Sequence, residues 1–318
     1  MATTGIDPHA VLDTILVATD FSETAGLALD RACELATRHA AKLVLVHALA
    51  NPPIPLAGPV PVLLPLDIED QIRAVSHEKL EVLAQGVRDL GLETEVRLIT
   101  GRPGPQIVGA ASEARVDLIV IGTRGLSGFR HALLGSTAEH VVRRAPCPVL
   151  TVHPGSRDAL SGVETVIIPT ELHEDPTPAV DLVVRVLGKK AQAVSLILVY
   201  SDHLPAYLQP LVVDLGIEHI GFDEIERRLH ERLAPVAAKL AGTGFSVETV
   251  IEEGDPATVI TELASTRAAD LIAMHTHGRE GLAHLIQRSV AERVVQHARC
   301  PVITLRLAAE PQGSERAD

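Results

Sequence analysis

Tryptophan is absent from the chain, and aromatic residues make up only 2% of it. A core without large rings must be filled by Val, Leu, Ile and Ala, which suits buried parallel sheets covered by helices. Cysteine is nearly as scarce. Cys33, Cys147 and Cys300 are too few and too scattered for a disulfide framework or a zinc site. No apolar run approaches the ~18 residues needed to span a bilayer. No basic, then apolar, then small-residue leader opens the sequence. These absences lead to the expectation of a cytoplasmic protein with no membrane partner. Basic charge is also short: 28 Lys and Arg against 41 Asp and Glu leave a formal net charge of −13. Phosphate backbones need a basic face, so nucleic acid is not an expected partner. One small anion needs only local donors and stays open.

A further absence is local. The segment IGTRGLSGFRHALLGST, Ile121 to Thr137, has no Asp or Glu, although the chain as a whole is acidic. It has four glycines and two arginines instead.

What is present is said twice. VDLIVIGTRGLSGFRHALLGSTAEHVVRRAPCPVLTV, Val116 to Val152, aligns without a gap with ADLIAMHTHGREGLAHLIQRSVAERVVQHARCPVITL, Ala269 to Leu305, and about 17 of 37 positions are identical. Such a self-match marks a structural repeat. TILVATDFS and KLVLVHAL in the first half answer to TVIIPTELH and AVSLILVY in the second. The junction HPGSRDALSG, His153 to Gly162, is short and rich in turn formers. The expected division is residues 1–155, residues 162–306 and a polar tail, 307–318.

Within the first half, Ile15–Ala18, Leu43–His47, Thr94–Ile99, Leu118–Ile121 and Val149–Val152 are short apolar runs rich in β-branched residues, and read as buried strands. Helical periodicity fills Ser22–His39, Ile68–Leu90, Pro105–Ala114 and Ser136–Arg144, with Ser22 placed to cap the first. Strand and helix in alternation predict right-handed βαβ units and a parallel sheet. Each half is therefore expected to be a five-stranded doubly wound α/β domain, Rossmann-like, and the two to form a pseudo-twofold pair. Asn51 to Asp67, crowded with proline, is expected to be a long surface loop.

In such sheets ligands sit at the carboxyl ends of strands where the winding reverses. Gly122 to Gly125 follows the fourth strand directly. GSTAEHVVRRA then opens a helix whose first-turn N–H groups and dipole favour an anion. Gly135 keeps a Cβ out of a phosphate's path, and the hydroxyls of Ser136 and Thr137 can donate to it. Gly122 and Gly125 are expected to serve a tight turn. Carboxylates here would repel an anion, which accounts for their absence.

The spacing Gly122, two residues, Gly125, nine residues, Gly135, Ser136, together with ATDFSETA at the first strand's end, resembles the nucleotide-binding signature of the universal stress protein family. The resemblance covers nearly the whole chain as a tandem pair. It implies a nucleotide-binding α/β fold that dimerises, with the pairing made within one chain here and a homodimer left open. ATP-binding members place adenine and ribose near the first strand's end, which assigns Ala18, Thr19 and Asp20 to those contacts and Ala48, after His47, to the adenine wall. The phosphate side falls to Gly122, Arg124, Gly125, Gly135, Ser136 and Thr137, with Ile121 at the strand exit. The implied cofactor is ATP, or ADP or AMP, with or without Mg²⁺.

Read from its chemistry alone, Asp20 can accept hydrogen bonds from ribose hydroxyls or the adenine amine, or can cap the first helix with Ser22. Arg124 can neutralise phosphate charge. In the second copy His275 replaces Gly122, Arg288 replaces Gly135, Glu171 replaces Asp20 and Pro169 stands at the Ala18 position, while Gly278 and Ser289 are kept. His275 and His277 give too few ligands for a metal. An ATPase needs a group to orient the attacking water, and the segment's one conventional base is His131, repeated as His284 in the degenerate copy. The expectation is therefore an adenine-nucleotide-binding regulatory protein of the stress response, with no catalytic residue assigned and a regulatory protein partner the sequence does not name. A slow ATPase or phosphotransferase and a nucleotide-free interaction scaffold are the alternatives.

Overall fold

The computed structural model describes residues 11–50, 66–125, 134–156, 160–170, 175–188, 194–202, 222–242, 244–277 and 289–307. The first half runs β1 (Thr14–Ala18), α1 (Glu23–His39), β2 (Lys42–Leu49), α2 (Leu66–Asp89), β3 (Thr94–Thr100), α3 (Pro103–Ala114), β4 (Leu118–Gly122), α4 (Ser136–Arg144) and β5 (Val149–Val152). After a 3₁₀ turn at Leu160–Gly162, the second runs β6 (Thr165–Pro169), α5 (Thr177–Leu187), β7 (Ser195–Asp202), α6 (Phe222–Ala241), β8 (Ser246–Glu253), α7 (Pro256–Thr266), β9 (Leu271–His277), α8 (Val290–His297) and β10 (Val302–Leu307).

Strand alternation sorts the core onto two faces. Ile15 and Val17 of β1 join Ala28, Ala32 and Leu35 of α1 and Leu80 and Ala84 of α2. Leu16 and Ala18 join Ile107 and Ala110 of α3 and Val141 and Val142 of α4 on the other face. Helices thus cover both faces, as a doubly wound sheet requires. Two helices, α2 and α3, begin two residues earlier than the sequence expectation. α3 begins at Pro103 rather than Pro105, because proline lacks an N–H that a first turn would leave unbonded anyway. Leu66 and Asp67 belong to α2 rather than to the expected proline-rich loop. The rest of that loop, 51–65, lies outside the described residues, as does the expected tail after Leu307, the last residue of β10.

The ten strands make one sheet in the order β3-β2-β1-β4-β5-β10-β9-β6-β7-β8. All pairs are parallel except the central one. There β5 and β10 run antiparallel, with Val302 opposite Thr151, Ile303 opposite Leu150 and Thr304 opposite Val149. Each half therefore has the same strand order about a pseudo-twofold axis, and the two strand-end crevices open at opposite edges of the sheet. The aspartate shared by the two repeats has a structural purpose. Asp117 Oδ2 accepts the N–H groups of Asp13 and Thr14 at 2.9 and 3.0 Å, and Asp270 Oδ2 does the same for Glu164 and Thr165 at the same distances.

Side chains close the seam between the halves. Arg143 of α4 donates to the buried Glu292 of α8 at 2.8 Å. His153, buried beyond the end of β5, donates from Nε2 to Val295 O at 2.7 Å. Burial, with the Arg124 charge added, pushes the His153 pKa below its ordinary value. An imidazole whose folded pKa is depressed contributes stability above the unfolded pKa of about 6.5, and that contribution is lost as pH falls toward the folded pKa. The urea midpoint is accordingly expected to drop between pH 7.5 and pH 5, and to drop less in His153→Gln. Equal drops in the two proteins would acquit His153.

Candidate functional site

The first strand runs one hydrogen bond past its end, Thr19 N donating to Val46 O at 2.9 Å. The chain then turns sharply. Thr19 Oγ1 accepts the Phe21 N–H and Asp20 Oδ1 accepts the Ser22 N–H, both at 3.0 Å. Ser22 caps α1 by accepting the Ala25 N–H at 3.2 Å. Phe21 adopts a left-handed φ of 66°, a conformation that disfavours a side chain by roughly 1–2 kcal/mol and persists only where neighbours hold it. Asp20 thus organises the entry to α1 while its second carboxylate oxygen faces the loop after β4.

That loop closes on the turn from the other side. A Cβ on Gly125 would collide with Asp20 Oδ2. A Cβ on Gly122 would lie 2.9 Å from Thr24 Cγ2 and 3.0 Å from the Thr24 backbone. Neither glycine has positive φ, so the backbone conformation does not demand glycine at either: these positions are small because α1 and the Asp20 carboxylate approach them closely. Ser22 Oγ also donates to Arg124 O at 3.5 Å. Thr123 ties the loop's ends. It is fully buried, its N–H and Oγ1 both donate to Val152 O, and its carbonyl accepts the Gly135 N–H at 2.8 Å. Sequence reasoning missed Thr123; its one signal is that Thr276 repeats it in the second copy.

Gly135 is the N-cap of α4 and gives it no side-chain cap. Among the described residues a Cβ there would meet only Thr123 O, at 3.4 Å, ordinary van der Waals contact. Glu139 N bonds back to Gly135 O, which leaves the N–H groups of Ser136, Thr137 and Ala138 with no helical acceptor. Ser136 is exposed and Thr137 half-buried. Ala18 and Ile121 are buried at the ends of the adjacent β1 and β4, and Ala48 is half-buried near the end of β2. Arg124 is exposed. The residues proposed from sequence therefore gather on one rim of the sheet. Residues 126–133, His131 among them, lie outside the described residues.

The second rim is built differently. β9 continues to His277 and pairs His275 with Leu305. The Ser289 hydroxyl, rather than facing an uncapped helix start, accepts the Glu292 N–H at 3.2 Å. α5 begins only at Thr177, eight positions after Pro169 closes β6, whereas Glu23 opens α1 five positions after Ala18. Beside this rim Arg293 grips Asp255 at 2.5 and 2.6 Å, and its guanidinium holds the Asp255 pKa down at about 2. Glu171, Gly278 and Arg288 lie outside the described residues. Among the described residues no cluster of His, Cys, Asp and Glu could hold a metal ion, and no helix is long and apolar enough to cross a membrane.

Fold and rim together define a class: two doubly wound α/β domains joined through their fifth strands, with a helix start that lacks a side-chain cap at one crevice. Comparison with known proteins narrows it. The model of the universal stress protein family matches residues 12–153 and again 162–306. A universal stress protein of Mycobacterium tuberculosis is 30% identical over 249 residues, covering 75% of this chain and 78% of that protein. One from Mycolicibacterium smegmatis is 26% identical over 302 residues, covering 92% of this chain and 96% of its own. The crystal structure of a universal stress protein from Archaeoglobus fulgidus superposes with a TM-score of 0.65 at 20% identity, over 92% of this chain and 98% of that one. The chain belongs to the universal stress protein family, in tandem form.

Proposed function

We propose that the chain binds an adenine nucleotide at the rim of its first half and acts as a regulatory protein of the stress response with little turnover. One observation carries the reading: the start of α4, where Gly135 offers no side-chain cap, lies on the same rim as an Asp20 carboxylate packed against Gly125. The helix start offers three N–H donors and a positive dipole end to phosphates. Ser136 and Thr137 add hydroxyls, and Arg124 adds charge. Gly122 and Gly125 keep the loop close to the ligand. Asp20 takes the ribose hydroxyls, with Ala18, Thr19, Ala48 and Ile121 forming the apolar seat of the base. ATP, ADP and AMP all satisfy this chemistry, and Mg²⁺ would belong to the phosphates. The phosphate segment brings donors and no carboxylate to activate water, which is why little turnover is proposed.

Calorimetry of wild type against Gly135→Arg is the test. The melting temperature of the variant is measured beside its affinity, because a Cβ at Gly135 would already touch Thr123 O at 3.4 Å, and lost affinity counts only where the variant melts with wild type. Losing close backbone donors, each worth roughly 1.5–3 kcal/mol when the acceptor is charged, should weaken ATP at least tenfold. Equal affinity in the two proteins would remove the phosphates from this helix start.

A further inference from the structure

We infer that His47, outside the residues assigned above, is a positioning residue that clamps the turn Thr19–Ser22 and so aims the Asp20 carboxylate at the ligand. The inference rests on the nucleotide reading for the identity of that ligand, but its geometry stands independently. His47 Nδ1 lies 2.7 Å from Thr19 O. A carbonyl only accepts, so the hydrogen sits on Nδ1. The same ring packs against Phe21, with centroids 4.5 Å apart and planes tilted by 44°. Lys79 of α2 brings its Nζ within 5.8 Å of the Phe21 centroid. One imidazole thus holds the residue before Asp20 by its carbonyl and the residue after it by its ring. Phe21 is left-handed, and between the two fixed points Asp20 holds the Ser22 N–H with Oδ1 and turns Oδ2 toward Gly125.

The second half builds the same strand end from other residues. In the second half Thr170 N donates to Val199 O at 2.8 Å, repeating the Thr19 bond to Val46. Yet Tyr200 takes the His47 position on β7, and the sequence has Leu172 where the first half has Phe21. The strand pair forms without a histidine and phenylalanine side by side. The histidine and phenylalanine pair accompanies the half with the intact glycine spacing, as a role in ligand geometry predicts.

The test uses the full chain and two substitutions. His47→Phe keeps a ring against Phe21 and removes the donor. His47→Asn places an amide N–H near the Nδ1 position. His47→Phe should weaken ATP about tenfold, the scale of one lost hydrogen bond, and leave inorganic triphosphate unchanged because it has no ribose or base. His47→Asn should recover ATP affinity to within about threefold of wild type. Amide exchange at Phe21 and Ser22 should speed up in the Phe variant and slow again in the Asn variant. Wild-type exchange rates and ATP affinity in His47→Phe would overturn the inference, as would equal weakening of ATP and triphosphate. Should His47→Phe not fold, the long-range ¹H–¹⁵N spectrum of the wild-type ring decides, since a hydrogen on Nε2 alone excludes the clamp. If wild type binds no nucleotide while exchange follows the stated order, the positioning of Asp20 stands and the nucleotide reading falls.

Discussion

The first half produced alone, residues 1–155, is expected to form homodimers or aggregates and no stable monomer. In the full chain Val149, Leu150, Thr151 and Val152 are all buried, the last three completely. β4 covers one side of this strand and β10 the other. Thr151 Oγ1 donates to Val302 O at 3.0 Å, and Thr304 Oγ1 returns a bond to Val149 O at 3.4 Å. Without the second half, that side of β5 presents unpaired backbone groups on an apolar, uncharged strand, which is a template for further pairing. The same cut leaves Arg143 without Glu292 and His153 without Val295 O. A second copy can repair the edge, because CPVLTV and CPVITL differ little and an antiparallel pair about a twofold axis is self-complementary. Light scattering at micromolar concentration is the measurement. A well-behaved monomer would mean that β5 tolerates an open edge and that the ten-stranded sheet is not needed to cover it.

Titration of the full chain with ATP is expected to saturate at one nucleotide per chain rather than two. The two rims answer to one repeat but differ where phosphates would meet the backbone. At the first, Gly135 brings no side chain to the start of α4. At the second, Arg288 stands at the Gly135 position in the sequence, and the Ser289 hydroxyl is already engaged with the Glu292 N–H. His275 fills the position of Gly122, where even a Cβ would press on the first turn of α1 in the other half. Glu171 is one methylene longer than Asp20, which shifts any ribose contact. Two forfeited charge-assisted hydrogen bonds at roughly 1.5–3 kcal/mol each weaken binding by about two to four orders of magnitude. Arg288 works against this by charge attraction. Two sites of comparable affinity, or nucleotide density beside Ser289 in a crystal, would show that Arg288 serves phosphate.

Much of this was legible in the residues themselves. The bounds of α4, Ser136 to Arg144, follow from the glycine before and the amphipathic run after. The Ser22 cap of α1 is a local preference expressed locally. The pairing of the fifth strands follows from two apolar edges that no charge protects. The place of Asp20 in the turn before α1, beside the Ser22 cap, was within the range of its chemistry. The start of α3 was misplaced because two prolines stand two residues apart and only the conformation at Arg102 selects the first.

What the sequence determined alone is what repeats or what is adjacent: the duplication, the strand and helix periods, the caps and the gathering of glycines after β4. What only the tertiary structure decided are meetings between residues far apart in the chain. Gly122 and Gly125 are small because Thr24 and Asp20 press on them, about a hundred positions earlier. Thr123 bonds to Val152, Arg143 to Glu292, and His47 to Thr19 across a strand pair. Such contacts leave no periodic trace, because each side chain answers to one partner set by the crossing of strands rather than to its neighbours in line. The opposite placement of the two crevices belongs to the same group, since it follows from a single antiparallel pair at the centre of an otherwise parallel sheet.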